Sequence, residues 1–242
     1  MALDRIVLVR HDVSGPNRKG YIQGQTDTPL QPGYKTRVDR LTDMIAEEEA
    51  FTNPQKSPVY ILCSELGRTY ETGERIHRRL LDEHHVKSEL RLTELLKERG
   101  EGDLEGKSFE EARPHLSSDP NLSLDAETIY GLLYLSNNIP NGERHESVTA
   151  RLGQFVRDDI QQLEGVGIIA AHLISGMNYL KNLLTDGNIL GDPPRDYQHF
   201  PNLSVVRLSF DPQRYMRYTE TGQYGPPNSN GITGLIKYLI PH

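Results

Sequence analysis

Three short and nearly unbroken apolar runs stand out along the chain. They cover residues 5–10 (RIVLVR), 59–64 (VYILCS) and 165–172 (GVGIIAAH). Runs of this length that are rich in β-branched residues predict strands buried on both faces of a mainly parallel sheet. A polar loop or turn and then a helical pattern follow each run, at 34–50, 65–85 and 174–184.

The rest of the pattern completes an α/β arrangement. A further helix is predicted at 147–165, and 203–210 and 214–220 predict a final pair of strands. We therefore predict a three-layer sandwich, with a central, mainly parallel sheet flanked by helices. The pattern is less regular between about residues 100 and 142, which predicts an inserted, lid-like segment in a single domain spanning 1–242.

Composition narrows the classes of partner. The formal charge of −7 argues against a nucleic-acid binder, because there is no basic excess to neutralise phosphates. No apolar run approaches the ~20 residues needed to span a membrane, and residues 1–10 do not resemble a signal peptide. We therefore predict a cytoplasmic protein without a membrane partner, and the sequence leaves a homodimer open. The single cysteine, Cys63, excludes an internal disulfide and predicts a buried strand thiol.

Candidate chemistry lies at the ends of the predicted strands. His11 and His172 end two of them, Arg10 precedes His11, and Arg68 lies in the first turn of the helix after the remaining strand. Ligands of α/β sheets bind outside the carboxyl ends of the strands. Guanidiniums bind phosphate through charge-assisted hydrogen bonds, and a neutral imidazole can attack phosphorus. Adjacent parallel strands would therefore bring these four side chains around one phosphate.

Six segments resemble the histidine phosphatase superfamily, which includes cofactor-dependent phosphoglycerate mutase and many small-molecule phosphatases. A single match would be weak, but six in the expected order are specific and cover most of the chain. The segments are LVRH (8–11), YIQGQTDTPLQPGYKTR (21–37), SELGRTYET (64–72), LKERGEGDLEG (96–106), PNGERHESVTAR (140–151) and IIAAH (168–172). GDLEGKSFEE (102–111) resembles the phosphatase branch more than the mutase form.

The resemblance implies roles for seven residues. His11 would be the nucleophile that takes up the phosphoryl group. Glu98 would protonate the leaving oxygen and then help a water molecule to attack the phosphohistidine. Gln23 would lie near the substrate, and no metal or other cofactor is implied. The phosphate oxygens would be held by Arg10, Asn17, Arg68 and the catalytic His172.

Two glycines of the family pattern are replaced, by Asp12 and Leu173. Asp12 could put a negative charge near the phosphate, and a like charge at about 4 Å costs a few kcal/mol. The cost disappears if the carboxylate turns away or pairs with a basic side chain such as Lys19. On this reasoning Asp12→Gly is expected to raise turnover.

Several assignments stay open or carry no function. Glu94 and Glu101 are alternatives to Glu98 as the acid, and we expect Arg151 to take part in packing or an ion pair. The following histidines are expected at the surface and are assigned no function: His84, His85, His115, His145, His199 and His242.

The leading prediction is a metal-independent phosphatase that hydrolyses small phosphate monoesters through a phosphohistidine on His11. A cofactor-dependent phosphoglycerate mutase is the first alternative. The second, suggested by Asp12 and Leu173, is a catalytically weak family member that binds a phosphorylated ligand or a protein partner.

Overall fold

A computed structural model describes residues 3–47, 58–186, 197–210 and 216–223. Its centre is a six-stranded sheet. The strands are β1 (Leu3–Arg10), β2 (Val59–Cys63), β3 (Ser88–Leu92), β4 (Gly165–Ala171), β5 (Ser204–Phe210) and β6 (Met216–Gln223). They lie in the order β3-β2-β4-β1-β5-β6, in which β3, β2, β4 and β1 are parallel and the last two are antiparallel. The predicted α/β class with a mainly parallel sheet is confirmed.

The three strands predicted from apolar runs lie side by side at the centre of the sheet. β4 lies between β2 and β1, and every residue of β4 is buried. β3 was not predicted, because it lies at the edge of the sheet and its sequence SELRL alternates polar and apolar residues. Leu90 is the β3 residue that packs on the core. An edge strand has one neighbour and one covered face, so it does not need a continuous apolar run.

Helices cover both faces of the sheet. Successive residues of β1 point to opposite faces, so Val7 belongs to one hydrophobic cluster and Leu8 to the other. One cluster takes in α2 and α3, and the other takes in α5, α6 and the π-helical segment, which gives the predicted three layers. These elements are α1 (Gly15–Lys19), α2 (Tyr34–Glu47), α3 (Gly67–His84), α4 (Phe109–Leu116), α5 (Ala126–Leu135), α6 (His145–Asp158), the π-helical segment (Leu173–Leu180) and α7 (Lys181–Asp186).

The irregular region at 100–142 contains a 3₁₀ turn at Gly102–Leu104, followed by α4 and α5. Its buried hydrophobic residues, including Ala112 and Leu133, belong to the same hydrophobic cluster as Leu8. Its action as a lid stays a prediction. In the described ranges, no helix combines the length and apolar character that crossing a membrane requires.

Some predicted bounds fall outside the described residues. Helix α2 is described to Glu47, so the predicted end at 48–50 is not covered. The last strand begins at Met216, and the predicted start at 214 lies in the undescribed range 211–215.

Candidate active site

The two strand-end histidines lie together at one edge of the sheet. β1 and β4 pair in parallel with Arg10 opposite Ala171, and the His11 N–H donates to the Ala171 carbonyl at 2.9 Å. The imidazole rings of His11 and His172 are therefore neighbours, with centroids 5.3 Å apart and planes inclined at 63°. Both residues are buried. The adjacency and parallel direction of the strands create this pair.

Two buried guanidiniums lie at the same edge. Nη1 of Arg10 donates to the carbonyl of Phe200, and Arg68 donates from Nη1 and Nη2 to the carbonyls of Thr26 and Gly24, at 2.9 and 2.6 Å. Across the described residues, neither guanidinium has a carboxylate within ion-pair distance, and neither Nε has a hydrogen-bond partner. Backbone carbonyls thus hold two positive charges in place without neutralising them. Such a pair is suited to binding an anion.

The hydrogen bonding of His11 leaves Nε2 available as a nucleophile. Its Nδ1 lies 2.7 Å from the carbonyl oxygen of Asp12, which only accepts hydrogen bonds, so Nδ1 carries the proton. In the neutral ring the lone pair is then on Nε2. Burial lowers the pKa of His11 well below its usual value, and the charges of Arg68 and Arg10 lower it further. The neutral, nucleophilic form is therefore favoured near neutral pH.

His172 is oriented by a chain of hydroxyl groups. The Thr69 hydroxyl donates to the Leu66 carbonyl at 2.9 Å, so it accepts from the Ser64 hydroxyl, 2.6 Å away. Ser64 in turn accepts from Nε2 of His172 at 3.0 Å. Nδ1 of His172 is buried and has no partner among the described residues. Burial, followed by the charge of Arg68, lowers the pKa of His172 well below its usual value.

Glu98 is connected directly to the strand end that carries His172. Its Oε1 accepts from the backbone N–H groups of Arg99 at 2.9 Å and Ser175 at 2.8 Å, and its Oε2 accepts from the N–H of Ile174 at 3.1 Å. Ile174 and Ser175 lie in the first turn of the π-helical segment, where the N–H groups have no partner within the helix. The buried carboxylate therefore caps the helix that follows His172.

The two alternative acids have different surroundings. The side chain of Glu94 is 76% exposed and lies 3.9 Å from Lys97. Glu101 is fully buried, 3.4 Å from Arg99, and its carboxylate accepts no hydrogen bond within the described part of the chain. Burial raises the pKa of Glu101 to about 8. Of the three acids, Glu98 is the one bonded beside His172.

Asn17 and Gln23 contact a loop serine. The Ser14 hydroxyl lies 2.9 Å from Oδ1 of Asn17 and 2.8 Å from Oε1 of Gln23, and Nε2 of Gln23 donates to the Thr28 hydroxyl. Ser14 and Asn17 form the capping box of α1. These contacts order the loop after His11. Binding of phosphate by Asn17 and Gln23 stays a prediction.

The Asp12 carboxylate has a partner that the sequence reading did not identify. Its Oδ2 lies 2.8 Å from Nε of Arg37 in α2, and its Oδ1 accepts from the Val13 N–H at 2.7 Å. Lys19, the partner considered from the sequence, is exposed. Leu173 is buried in the hydrophobic core.

Glu105 organises the loop that holds Arg68, a contact that the sequence analysis missed. Its carboxylate accepts from the backbone N–H groups of Gln25 and Thr26, both at 2.8 Å, and of Glu101 at 3.0 Å. The Thr26 carbonyl is one of the two that bind Arg68. The motif GDLEG was visible in the sequence, but only the fold shows which loop its glutamate holds.

The expected ion pair of Arg151 is confirmed. It binds Glu143 through Nε at 2.7 Å and Nη2 at 3.0 Å. The same guanidinium donates to the carbonyls of Leu95 at 2.7 Å and Glu98 at 3.3 Å. Arg151 therefore supports the backbone that carries Glu98.

The expectation that His145 lies at the surface is wrong. It is 2% exposed and contacts the Tyr179 hydroxyl, because it begins α6 on the buried face of that helix. His199 is half-buried, and burial lowers its pKa to about 4. His85 and His115 are exposed as expected, His84 is half-buried and bonded to Asp43, and His242 lies outside the described residues.

Cys63 is the buried strand thiol that the sequence predicts. Burial raises its pKa to about 12. In the ranges that the structure describes, no group of three or more histidine, cysteine or acidic side chains is arranged to hold a metal ion.

Comparison with known proteins relates this geometry to named relatives. Yeast (Saccharomyces cerevisiae) sedoheptulose 1,7-bisphosphatase is 26% identical over 152 residues, which cover 63% of this chain and 54% of the relative. The chain therefore spans about half the length of this curated relative.

Two solved structures share the fold. The mycobacterial glucosyl-3-phosphoglycerate phosphatase has a TM-score of 0.62 and 20% identity, covering 89% of this chain and 96% of that structure. The phosphoglycerate mutase of Bacillus anthracis str. Sterne has a TM-score of 0.64 and 16% identity, covering 88% and 90%.

A family model matches residues 6–219, a range that includes every segment of the site from Arg10 to His172. The chain belongs to the histidine phosphatase superfamily, branch 1.

Proposed function

We propose that this protein is a phosphatase that hydrolyses small phosphate monoesters, without a metal ion, through a phosphohistidine on His11. One observation carries the proposal: the free Nε2 of a neutral His11 lies beside His172 and two guanidiniums that have no carboxylate partner among the described residues. A cationic pocket of this kind stabilises the negative charge of a phosphoryl group during transfer.

In the first step, Nε2 of His11 forms a bond to phosphorus while the bond from phosphorus to the leaving oxygen breaks. Arg10 and Arg68 would bind the phosphoryl oxygens. His172 would bind them through Nδ1 after that nitrogen takes up a proton, which the negative charge of the phosphate favours. The departing oxygen needs a proton, which the Glu98 carboxylic acid would supply. Oε2 of Glu98 accepts one hydrogen bond, so it has the capacity to interact with the leaving group.

In the second step, a water molecule attacks phosphorus and the bond to Nε2 of His11 breaks. The Glu98 carboxylate accepts a proton from that water, and inorganic phosphate leaves. The enzyme returns to its starting state, with Nδ1 of His11 still donating to the Asp12 carbonyl.

Small phosphorylated molecules are the proposed substrates, and a cytoplasmic location remains a prediction. The names of two relatives guide the choice of compounds: one refers to a sugar bisphosphate and the other to a glycosylated phosphoglycerate. A panel should contain both, together with simple alkyl and aryl phosphates.

The test compares the parent protein with His11→Ala and with His115→Ala, an exposed histidine of α4 that serves as a control. The parent and the control should release phosphate from an aryl phosphate between pH 5 and 8, with or without EDTA, and His11→Ala should not. Loss of activity in EDTA contradicts metal independence, and equal activity of His11→Ala contradicts the proposed nucleophile.

The same preparation separates the alternatives. Isomer exchange of a phosphoglycerate in the presence of its bisphosphate primer, without release of phosphate, would identify a mutase. Tight binding of phosphorylated ligands with no turnover of any compound in the panel would identify a binding protein.

A further inference from the structure

Asp12 follows the proposed nucleophile directly, yet its side chain is only 1% exposed. Burying a carboxylate is costly unless it is paired and hydrogen-bonded. Both oxygens meet this condition, through Nε of Arg37 at 2.8 Å and the Val13 N–H at 2.7 Å. The carboxylate is therefore tied to α2 and to its own loop.

The backbone of Asp12 contacts the reaction centre. Its carbonyl accepts the bond from Nδ1 of His11 at 2.7 Å, and its N–H donates to the Thr72 hydroxyl of α3 at 3.3 Å. The next carbonyl, that of Val13, accepts from the Gln31 N–H at 2.8 Å. The peptide groups around Asp12 are thus bonded to the His11 ring, to α3 and to the loop that contains Gln31.

One peptide group connects the side chain of Asp12 to the ring of His11. The Asp12 carbonyl and the Val13 N–H belong to the same planar unit and point in opposite directions. When Oδ1 of Asp12 binds that N–H, it also fixes the direction of the carbonyl. Arg37 holds the carboxylate in the position from which it can do so. A glycine at this position would leave the peptide free to rotate.

We propose that Asp12 and Arg37 form a positioning pair for His11. The pair fixes the peptide between residues 12 and 13, whose carbonyl keeps the proton on Nδ1 of His11 and leaves Nε2 free for the phosphoryl group. This inference rests on the proposed function. It reverses the expectation from the sequence, because Asp12→Gly now lowers the rate of phosphoryl transfer.

The kinetic test uses Asp12→Gly and Arg37→Gln, with Arg75→Gln as a matched control. Arg75 is as exposed as Arg37 and makes an ion pair of similar length with Asp39 of α2. A 1 Å misplacement of reacting groups can cost ~100-fold in rate, so a partial loss of orientation should slow transfer to His11 about 10-fold. KM should change little, Asp12→Asn should be intermediate, and Arg75→Gln should keep the parent rate.

A second readout does not need activity. Nitrogen-15 NMR of the imidazole of His11, assigned by its absence in His11→Ala, should show the proton on Nδ1 in the parent and in Arg75→Gln. Arg37→Gln and Asp12→Gly should shift it toward a mixture of both tautomers. If both variants match the control in rate and in tautomer, the positioning pair is wrong while the proposed function stands. If the tautomer shifts but the parent has no phosphatase activity, the proposed function fails and the positioning pair remains.

Discussion

Replacing Glu98 with glutamine tests the proposed acid, because the variant keeps the shape of the side chain but has no acidic proton to transfer to the leaving group. The need for an acid depends on the leaving group. An alkoxide is a poor leaving group and requires protonation, whereas a nitrophenolate leaves readily without it. General acid catalysis contributes about 10²–10⁴-fold. We therefore expect the alkyl phosphate rate to fall by that factor and the nitrophenyl phosphate rate by less than about tenfold.

The structure also gives the expected cost in stability. The glutamine oxygen can still accept from Arg99 and Ser175, but its NH₂ group would then face the N–H of Ile174. One buried donor left without an acceptor costs about 1–3 kcal/mol. For a chain of this size each kcal/mol lowers Tm by about 2–4 °C. The variant should therefore remain folded, with a modest fall in Tm.

The assay measures single-turnover rates for a series of alkyl and aryl phosphates in Glu98→Gln. Glu94→Gln and Glu101→Gln are controls from the same loop, one exposed and one buried. The two controls should not change the dependence on the leaving group. An equal loss for alkyl and aryl substrates in Glu98→Gln, or a selective loss in Glu101→Gln, would refute the assignment.

Three further predictions concern stability, reactivity and support of the acid. The folded pKa of Glu101, about 8, lies above its ordinary value of 4.5, so this group stabilises the protein below pH 4.5 and loses that contribution as pH rises to about 8. Glu101→Gln should therefore flatten the fall of Tm between pH 4.5 and 8. An unchanged slope of Tm against pH would contradict this linkage. Because burial raises the pKa of Cys63 to about 12, its thiol should resist alkylation at pH 8 in the native protein and should react after the protein is unfolded in urea. Rapid alkylation of the native protein would show instead that the thiol is accessible. Arg151→Gln should lose the bonds to the carbonyls of Leu95 and Glu98 and lower kcat for alkyl phosphates more than for aryl phosphates, and a loss equal for both classes would mean that Arg151 does not act through the acid.

The sequence predicts the centre of the sheet well because β2, β4 and the middle of β1 are covered on both faces and are therefore almost entirely apolar. The meeting of His11 and His172 follows from the same pattern, since both residues follow neighbouring parallel strands. No single strand sequence determines the order of the strands in the sheet. Three apolar runs separated by helices nevertheless leave few possible strand orders.

Contacts between segments that are distant in the sequence could not be predicted from it. The pairing of Asp12 with Arg37 and the contact of Glu105 with Thr26 depend on how separate segments come together, and no local pattern encodes that. His145 is different, because a signal was present. It shares a helix face with Val148 and Leu152, three and seven residues later, and this spacing predicts a buried position despite its charged neighbours.

The most direct test of the account is to trap the phosphoryl group on the protein. The parent, mixed with a phosphate-labelled substrate and quenched in base within one turnover, should carry a label that is stable in base, is released by acid and maps to His11. His11→Ala should carry none, and Glu98→Gln should accumulate more label from an aryl phosphate because water attack is slowed. Turnover without a trapped label, or a label on any other residue, would contradict the proposal that His11 is the nucleophile.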